Sequence, residues 1–238
     1  MRRSEVNAAL RAAERAIRDA GMHLPPFAAW SPEVWRAQGE ALAGVRGPRL
    51  GWDVTDFGSG RFARSGLTLF TLRNGNLAAT PHGPPDKPYA EKLLLIQDGQ
   101  RTPLHTHRRK VEDIIHRGGT GDLVLKLMAG DADHGPRPGR LTIWTDGAPR
   151  AVEGGGLLVL HPGESVTLVP GCFHAFWAEG GTVLAGEVSS RNDDATDNVF
   201  LGTGGRFAAL EEDEAPYRLL VSDYAELEAA ASAAEEPT

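Results

Sequence analysis

The stretch Thr102–Gly119, "TPLHTHRRKVEDIIHRGG", decides the fold of this chain and much of its chemistry. His105 and His107 stand two residues apart, so on a β-strand both side chains point to the same face. Glu112 has the opposite parity and can join them only if the chain bends after Arg108. Two imidazoles and a carboxylate suit a divalent first-row metal ion. Alone the pattern is weak, because two surface histidines beside a salt-bridging glutamate look the same.

A second stretch, "PGESVTLVPGCFHAFWAE" (residues 162–179), places a further histidine in an apolar strand. Cys172, His174 and Phe176 alternate there and therefore share one face. A single histidine in such a strand is more often a core residue than a ligand. The first stretch, however, lacks a third imidazole, and His174 is the candidate that supplies it. We interpret Cys172 as core packing, since no activating base is evident near it.

From Leu50 onward, short apolar runs alternate with turn residues, as in "LTLFTLRNGN", "DLVLKLMAGD" and "GLLVLHPGES". Asn74-Gly75, Asp98-Gly99 and Asp146-Gly147 are strong signals for two-residue hairpin turns. The pattern predicts a mainly β fold, either an antiparallel β-barrel or a jelly roll.

The first residues predict helices instead. Ser4 is placed to cap the first helix and Gly21 to end it, while Ser31 and Pro32 mark the start of a second. The apolar face of the first helix consists of Val6, Leu10, Ala13 and Ile17. We therefore expect a helical segment (1–49) packing on a barrel domain (50–224), followed by a C-terminal tail (225–238).

Composition excludes several classes of protein. The 238 residues are 41% hydrophobic, which is enough for a substantial core. The net charge of −7 comes without a clustered basic face, so nucleic acid is not an expected partner. A single cysteine excludes a disulfide within one chain and favours the cytoplasm. The N-terminus has no apolar run long enough for a signal peptide or a membrane span.

Together the two stretches resemble the paired motifs of the cupin superfamily. The spacing His105-x-His107-x4-Glu112-x6-Gly119 resembles the first motif, and Gly163 to His174 resembles the second. Pro170 stands one residue later than is usual, and the usual asparagine after the histidine is missing. The resemblance implies a cupin β-barrel (jelly roll) with N-terminal helices and a metal site of three histidines and Glu112.

The resemblance extends to the D-lyxose isomerase family. It is carried by "HLPPFAAWSPEVW", "LGWDVTDFG", "YAEK", "HRRKVEDIIHRGG" and "FHAFWAEGGTVLAGEVSSRNDDATDNVF". It weakens in the proline-rich loop "NLAATPHGPPDKP" (residues 76–88) and in the tail. It implies an Mn²⁺-dependent interconversion of D-lyxose and D-xylulose, with D-mannose and D-fructose as a related pair, through a cis-enediol. It also implies a monosaccharide as the small-molecule partner and a homodimer.

Two charged residues in strand-like contexts are candidates for proton transfer. Glu187 lies in "TVLAGEVSS", where small neighbours leave space for a ligand, so we expect it in the barrel interior rather than in solvent. In "YAEKLLLIQ" one of Glu91 and Lys92 must face inward, and parity does not say which. The family likeness around "YAEK" favours Lys92 as the residue that holds or protonates a substrate oxygen.

Three further residues are candidates for binding sugar hydroxyls. Asp194 and Asp197 lie in the polar stretch "SSRNDDATDN" after the Glu187 strand, although an ordinary polar loop has the same composition. Arg109 has the parity of His105 and His107 and could orient Glu112 or a hydroxyl. The histidines outside the two motifs are interpreted as structural or surface residues.

Other functions remain open at this stage. An iron-dependent cupin dioxygenase uses a similar ligand set. A sugar-phosphate isomerase would use the cations of "RRK" at 108–110 together with Arg117. A non-catalytic sugar-binding cupin would keep the barrel, but it has no need for an acid and a base beside a metal. Glu187 and Lys92 therefore distinguish an enzyme from a binding module.

Overall fold

The computed structural model describes residues 1–38, 42–76, 86–202 and 209–225. Most of the proline-rich loop and all but the first residue of the C-terminal tail lie outside the described residues, and so does His82. Within these ranges, four helical segments come first: α1 (Arg3–Asp19), a 3-10 turn (Pro26–Ala29), α2 (Pro32–Ala37) and α3 (Ala43–Arg46). None of the helices in these ranges combines the length and apolarity that a membrane crossing requires.

Fourteen strands follow in the described part of the chain. They are β1 (Gly51–Thr55), β2 (Leu67–Arg73), β3 (Tyr89–Ile96), β4 (His105–His107), β5 (Glu112–Gly119), β6 (Asp122–Asp131), β7 (Gly135–Pro136), β8 (Arg140–Thr145), β9 (Ala148–Glu153), β10 (Leu157–Leu160), β11 (Ser165–Leu168), β12 (Cys172–Glu179), β13 (Val183–Ser190) and β14 (Asn198–Phe200).

The strands form two antiparallel sheets that face each other. The larger has the order β1-β2-β3-β13-β5-β11-β8-β9, and the smaller has the order β10-β6-β12-β4-β14, with β7 also paired to β6. Apolar side chains of both sheets meet in one buried core, including Leu94, Ile114, Leu125, Leu158 and Phe176. The expected mainly β cupin barrel is confirmed.

Helix α1 covers the outer face of the larger sheet at β1 to β3. Val6 and Leu10 of the helix pack with Trp52, Phe70 and Leu93 in a second buried cluster. The helix periodicity predicted from the sequence therefore matches the face that is buried. This second layer leaves the inner face of the larger sheet free to build a site inside the barrel.

The helix start differs from the prediction. Arg2, not Ser4, precedes the first helical residue, and Ser4 lies inside the helix. The N–H of Ser4 donates to Asp213 at 2.8 Å and its hydroxyl donates to the same carboxylate at 2.6 Å. A distant carboxylate thus satisfies a backbone donor that a local cap would otherwise satisfy. At α2 the prediction is confirmed, because the Ser31 side chain accepts from the N–H of Val34.

Only one of the three expected two-residue hairpins forms. Asp146 and Gly147 have φ values of 50° and 81° and join the paired strands β8 and β9, as a type I′ turn requires. Asn74-Gly75 lies at the end of β2, and residues 74–88 separate that strand from β3. Asp98-Gly99 leads towards the other sheet. These two predictions were wrong because β2 pairs with β1 and β3, and Asp98 pairs with Ala178 of β12.

Leu10→Ala tests the docking of α1. Leu10 is fully buried in the cluster beneath the helix, so we expect the free energy of unfolding to fall by about 2–5 kcal/mol in denaturant titrations. Leu157→Ala is the matched control, because that leucine is 58% exposed and should change stability by less than about 0.5 kcal/mol. Equal effects of the two substitutions would contradict the packing described here.

Candidate metal centre and active site

Three histidines converge inside the barrel. His105 and His107 lie on β4, and His174 on β12 pairs directly with His105 across the strands. One ring nitrogen from each lies within 4.8 Å of one from every other. The Nδ1 atoms of His105 and His174 lie 2.9 Å and 3.1 Å from the carbonyl oxygens of Pro103 and Cys172. Carbonyls can only accept, so Nδ1 carries the proton and Nε2 keeps its lone pair for a metal.

The electrostatics of these rings also favour metal binding. Burial and the neighbouring rings of His174 and His107 lower the pKa of His105 well below its usual value. Burial also lowers the pKa of His107, although Glu112 opposes this effect. Both rings are therefore neutral near pH 7, as ligands must be. The Nε2 atom of His174 is buried and makes no hydrogen bond among the described residues, although Oε1 of Glu112 lies 3.0 Å away. With the proton on Nδ1, two acceptor lone pairs face each other there, an arrangement that a bound cation would relieve.

Glu112 adjoins the histidines, as the spacing predicted. Its Oε1 atom lies 3.2 Å from Nε2 of His107 and 3.0 Å from Nε2 of His174. The chain bends between β4 and β5, so Glu112 can reach the same face despite its opposite parity. The three histidines and Glu112 together fit a divalent cation.

Lys110 joins Glu112 to the second predicted carboxylate. Its ammonium lies 2.7 Å from Oε2 of Glu112 and 3.0 Å from Oε1 of Glu187. Burial opposes the charge on Lys110, but Glu112 and Glu187 outweigh it and raise the pKa of the ammonium. Burial likewise opposes the charge on Glu187, yet Lys110 and Lys92 together bring its pKa below the usual value. Both carboxylates therefore remain ionised at neutral pH.

The strand register brings the predicted acid–base pair together. Glu187 on β13 pairs directly with Lys92 on β3, and the Lys92 ammonium lies 3.2 Å from Oε1 of Glu187. Both side chains are buried, whereas Glu91 lies on the other face and pairs with Arg73. The structure thus settles which residue of "YAEK" faces inward.

The three residues predicted to bind sugar hydroxyls lie in different settings. The Asp194 carboxylate lies 3.9 Å from the Lys92 ammonium, at the mouth of the site. Asp197 is buried and accepts hydrogen bonds from the backbone N–H groups of Arg109 and Lys110, at 2.9 Å and 3.1 Å. These two bonds hold the bend between His107 and Glu112. Roles of Asp194 and Asp197 in substrate binding remain predictions.

The inward orientation expected for Arg109 is wrong. Its side chain is 72% exposed and contacts Asp197 and Asp193 rather than Glu112. Strand alternation fails here because β4 ends at His107 and Arg109 lies in the bend. A role for Arg109 in substrate binding remains a prediction.

Two functional candidates were missed by reading the sequence. The sequence suggested Lys110 only as one of the cations that a sugar-phosphate isomerase would use, because its inward direction depends on the bend that Asp197 holds. Asn192 accepts a hydrogen bond from the Lys92 ammonium at 2.7 Å. Nothing in the local sequence distinguishes Asn192 from its polar neighbours.

The Cys172 thiol and three further imidazoles match their structural interpretation. His116 is fully buried and its Nε2 lies 2.9 Å from the carbonyl oxygen of Gly121. His134 and His161 pair with aspartates at the surface. Burial, assisted by the charge of Glu112, raises the pKa of the Cys172 thiol to about 12, so this thiol is not an activated nucleophile.

One cavity is lined by His105 and His107 together with the two carboxylates and the two lysines. Its opposite wall is apolar and includes Phe57, Leu69, Leu94, Phe176 and Phe200. A few convergent polar groups facing an apolar wall are typical of a small-molecule site. A larger open groove beside the end of α1, lined in part by Arg15, Asp19 and Gln97, contains none of the predicted site residues.

Comparison with known proteins identifies this β-barrel chain as a sugar isomerase. Residues 1–224 match the D-lyxose isomerase family, and the chain belongs to that family. It is 44% identical over 227 residues to a D-lyxose/D-mannose isomerase of Serratia proteamaculans, covering 94% of this chain and 98% of the relative. A protein of the same name from Escherichia coli O157:H7 has the same identity and coverage.

Solved structures of more distant proteins share the fold. An L-ribose isomerase mutant of Acinetobacter sp. DL28 in complex with L-ribose superposes with a TM-score of 0.58 at 13% identity, covering 89% of this chain and 98% of that one. An L-ribose isomerase of Cellulomonas parahominis with L-ribose gives a TM-score of 0.55 at 16% identity, with the same coverage. At this identity the likeness concerns the architecture alone.

His174→Ala tests the metal centre. If His174 is a ligand, the variant should stay folded and bind at least about tenfold less divalent metal, measured by elemental analysis after dialysis against Mn²⁺. His161→Ala is the control, because that ring is exposed and paired with Asp122. Unchanged metal content in His174→Ala would remove this residue from the centre.

Proposed function

We propose that the protein interconverts D-lyxose with D-xylulose, and D-mannose with D-fructose, using one divalent ion. The proposal rests chiefly on the Lys110 ammonium that joins Glu112, beside the three histidines, to the buried Glu187. The two relatives that are 44% identical are D-lyxose/D-mannose isomerases, which supports these sugars. A homodimer and a cytoplasmic location also remain predictions.

His105, His107, His174 and Glu112 would hold the ion, for which we favour Mn²⁺. Such an ion accepts oxygen and imidazole ligands and leaves coordination positions open for a sugar. When bound, it would stabilise the negative charge that develops on the sugar's O1 and O2. The ligand atoms of His105 and His174 would be their Nε2 nitrogens, because the Nδ1 nitrogens donate to the carbonyls of Pro103 and Cys172.

Glu187 would act as the base. It would take the proton from C2 of the aldose, as the O1 carbonyl gains a proton, to give a cis-enediol. Returning the carbon proton to C1 while O2 loses its proton would then give the ketose. Both lysine contacts of Glu187 involve Oε1, so we assign proton transfer to Oε2. The lowered pKa keeps this carboxylate in its basic form at neutral pH.

Lys92 would hold and polarise a sugar oxygen while it keeps Glu187 in place. Both lysines face carboxylates inside the cavity, whereas Arg108 and Arg109 are largely exposed. The site therefore lacks spare cations for a phosphate among the described residues. This distribution of charge supports a free monosaccharide rather than a sugar phosphate as the substrate. The buried Lys92–Glu187 pair supports catalysis over simple sugar binding.

The substrate and metal dependence can be tested in one assay. The protein is stripped with a chelator and supplied with Mn²⁺, and aldose–ketose conversion is measured for D-lyxose, D-mannose, D-xylose and D-glucose. We expect no turnover without metal, restoration by Mn²⁺, and higher kcat/KM for D-lyxose and D-mannose than for their C2 epimers. Full activity in the metal-free protein would falsify the metal dependence, and a preference for D-xylose or D-glucose would contradict the substrate assignment.

Glu187→Gln tests the base. The substitution keeps the shape of the side chain and removes its proton-accepting charge, so kcat should fall by about 10²- to 10⁴-fold while the metal content stays unchanged. Glu164→Gln, on a surface turn, is the control. An intact rate in Glu187→Gln would remove this residue from the mechanism.

Turnover of the wild-type protein in D₂O tests the route itself. An enediol should let deuterium enter the carbon skeleton at C1 or C2, whereas a direct hydride shift should not. If exchange is absent, the rate of Glu187→Gln decides, because a shielded base can return its own proton. Absent exchange together with an intact rate would overturn the enediol route.

A further inference from the structure

The Lys92 ammonium contacts an amide as well as two carboxylates. Its shortest contact is not with a carboxylate but with the amide oxygen of Asn192, at 2.7 Å. Glu187 lies at 3.2 Å and Asp194 at 3.9 Å. An ammonium has three N–H donors, so the neutral amide can take one of them without competing for the charge of Glu187. The position of Lys92 thus depends on the chain that follows β13.

Asn192 is itself held by a residue 118 positions away. The side chain of Asn74 pairs with both backbone groups of Asn192: its Oδ1 accepts from the N–H at 3.0 Å, and its Nδ2 donates to the carbonyl at 3.0 Å. It also accepts from the N–H of Gly75 and donates to the carbonyl of Pro48. All four hydrogen-bonding positions of the amide are therefore used.

Both asparagines are buried, at 3% and 6% exposure. The Asn74 amide makes the two hydrogen bonds that the backbone of a paired strand would make. It thereby ties the segment after β13 to the end of β2. A buried polar side chain with every partner satisfied defines one conformation. The anchored segment then presents Oδ1 of Asn192 to the Lys92 ammonium.

We propose that Asn192 and Asn74 are positioning residues for Lys92, an inference that rests on the proposed function. Asn192 holds the ammonium where it contacts both Glu187 and a sugar oxygen, and Asn74 fixes the backbone of Asn192. Neither residue needs to touch the reacting carbons. Their effect on turnover should therefore operate entirely through Lys92.

A double-mutant cycle tests this dependence. Asn192→Leu removes the acceptor at similar volume and should lower kcat by about 10- to 100-fold, as expected for the loss of a hydrogen bond to a charged group, with KM changing by less than about threefold. In the Lys92→Met background the same substitution should lower kcat by less than about twofold, because residues acting through one partner are not additive. Losses that multiply would overturn the proposal, and so would an unchanged kcat in Asn192→Leu.

Further variants separate positioning from folding. Asn192→Asp retains the acceptor and should recover most of the kcat lost in Asn192→Leu. Asn74→Leu should lower kcat in the same direction and lose this effect in the Lys92→Met background. Asn7→Leu is the matched control, since Asn7 is a fully buried amide that ties α1 to the backbone of residues 215 and 217. It should leave kcat unchanged even where it lowers the thermal midpoint.

If Asn192→Leu does not fold, Asn192→Ala replaces it in the experiment, because it removes the same Oδ1 acceptor without adding bulk. Failure of both to fold, with Asn7→Leu folded, would assign Asn192 to the scaffold and overturn the proposal. A wild-type protein that converts none of the four aldoses with Mn²⁺ would instead reject the proposed function, and the inference would fall with it. The wild-type measurement thus distinguishes the two failures.

Discussion

The buried ammonium of Lys110 is the interaction on which the site depends. Glu112 and Glu187 lie on neighbouring strands inside the barrel, and two carboxylates this close would repel each other and raise the pKa of at least one. Lys110 lies within 3.0 Å of both, so both stay ionised. Removing a partner from such a buried pair typically costs about 3–5 kcal/mol, because an uncompensated charge remains. Lys110 thereby connects the candidate metal centre to the candidate base.

Strand register decides which groups come together inside the barrel. His174 lies opposite His105 in the smaller sheet, and Glu187 lies opposite Lys92 in the larger one. A slip by one residue would turn every side chain of a strand to the other face. The apolar residues that alternate with these groups pack in the core or beneath α1. The packing that stabilises the fold therefore also specifies the register that builds the site.

The segment after β13 also positions residues of the site. Asp197 binds the backbone of the bend between β4 and β5, and Asn192 binds the Lys92 ammonium. The same segment is tied to the end of β2 through Asn74. This polar loop therefore positions both Glu112, through the bend that precedes it, and Lys92, which contacts Glu187. Substitutions in this loop should affect metal binding and turnover separately, according to which anchor they remove.

The sequence by itself determined the features that rest on local spacing. The alternation of His105 and His107, the Ser31-Pro32 helix start and the Asp146-Gly147 hairpin follow from strand period, capping and turn geometry, and the paired motifs identified the barrel. Only the tertiary structure decided the rest. Ser4 does not cap α1, and its N–H donates to Asp213 instead. Asn74 does not form a hairpin turn, and its side chain binds the backbone of Asn192. Lys110 points inward because Asp197, 87 residues away, holds the bend. Local patterns predict local geometry, but the direction of a side chain at a bend depends on partners that only folding brings near.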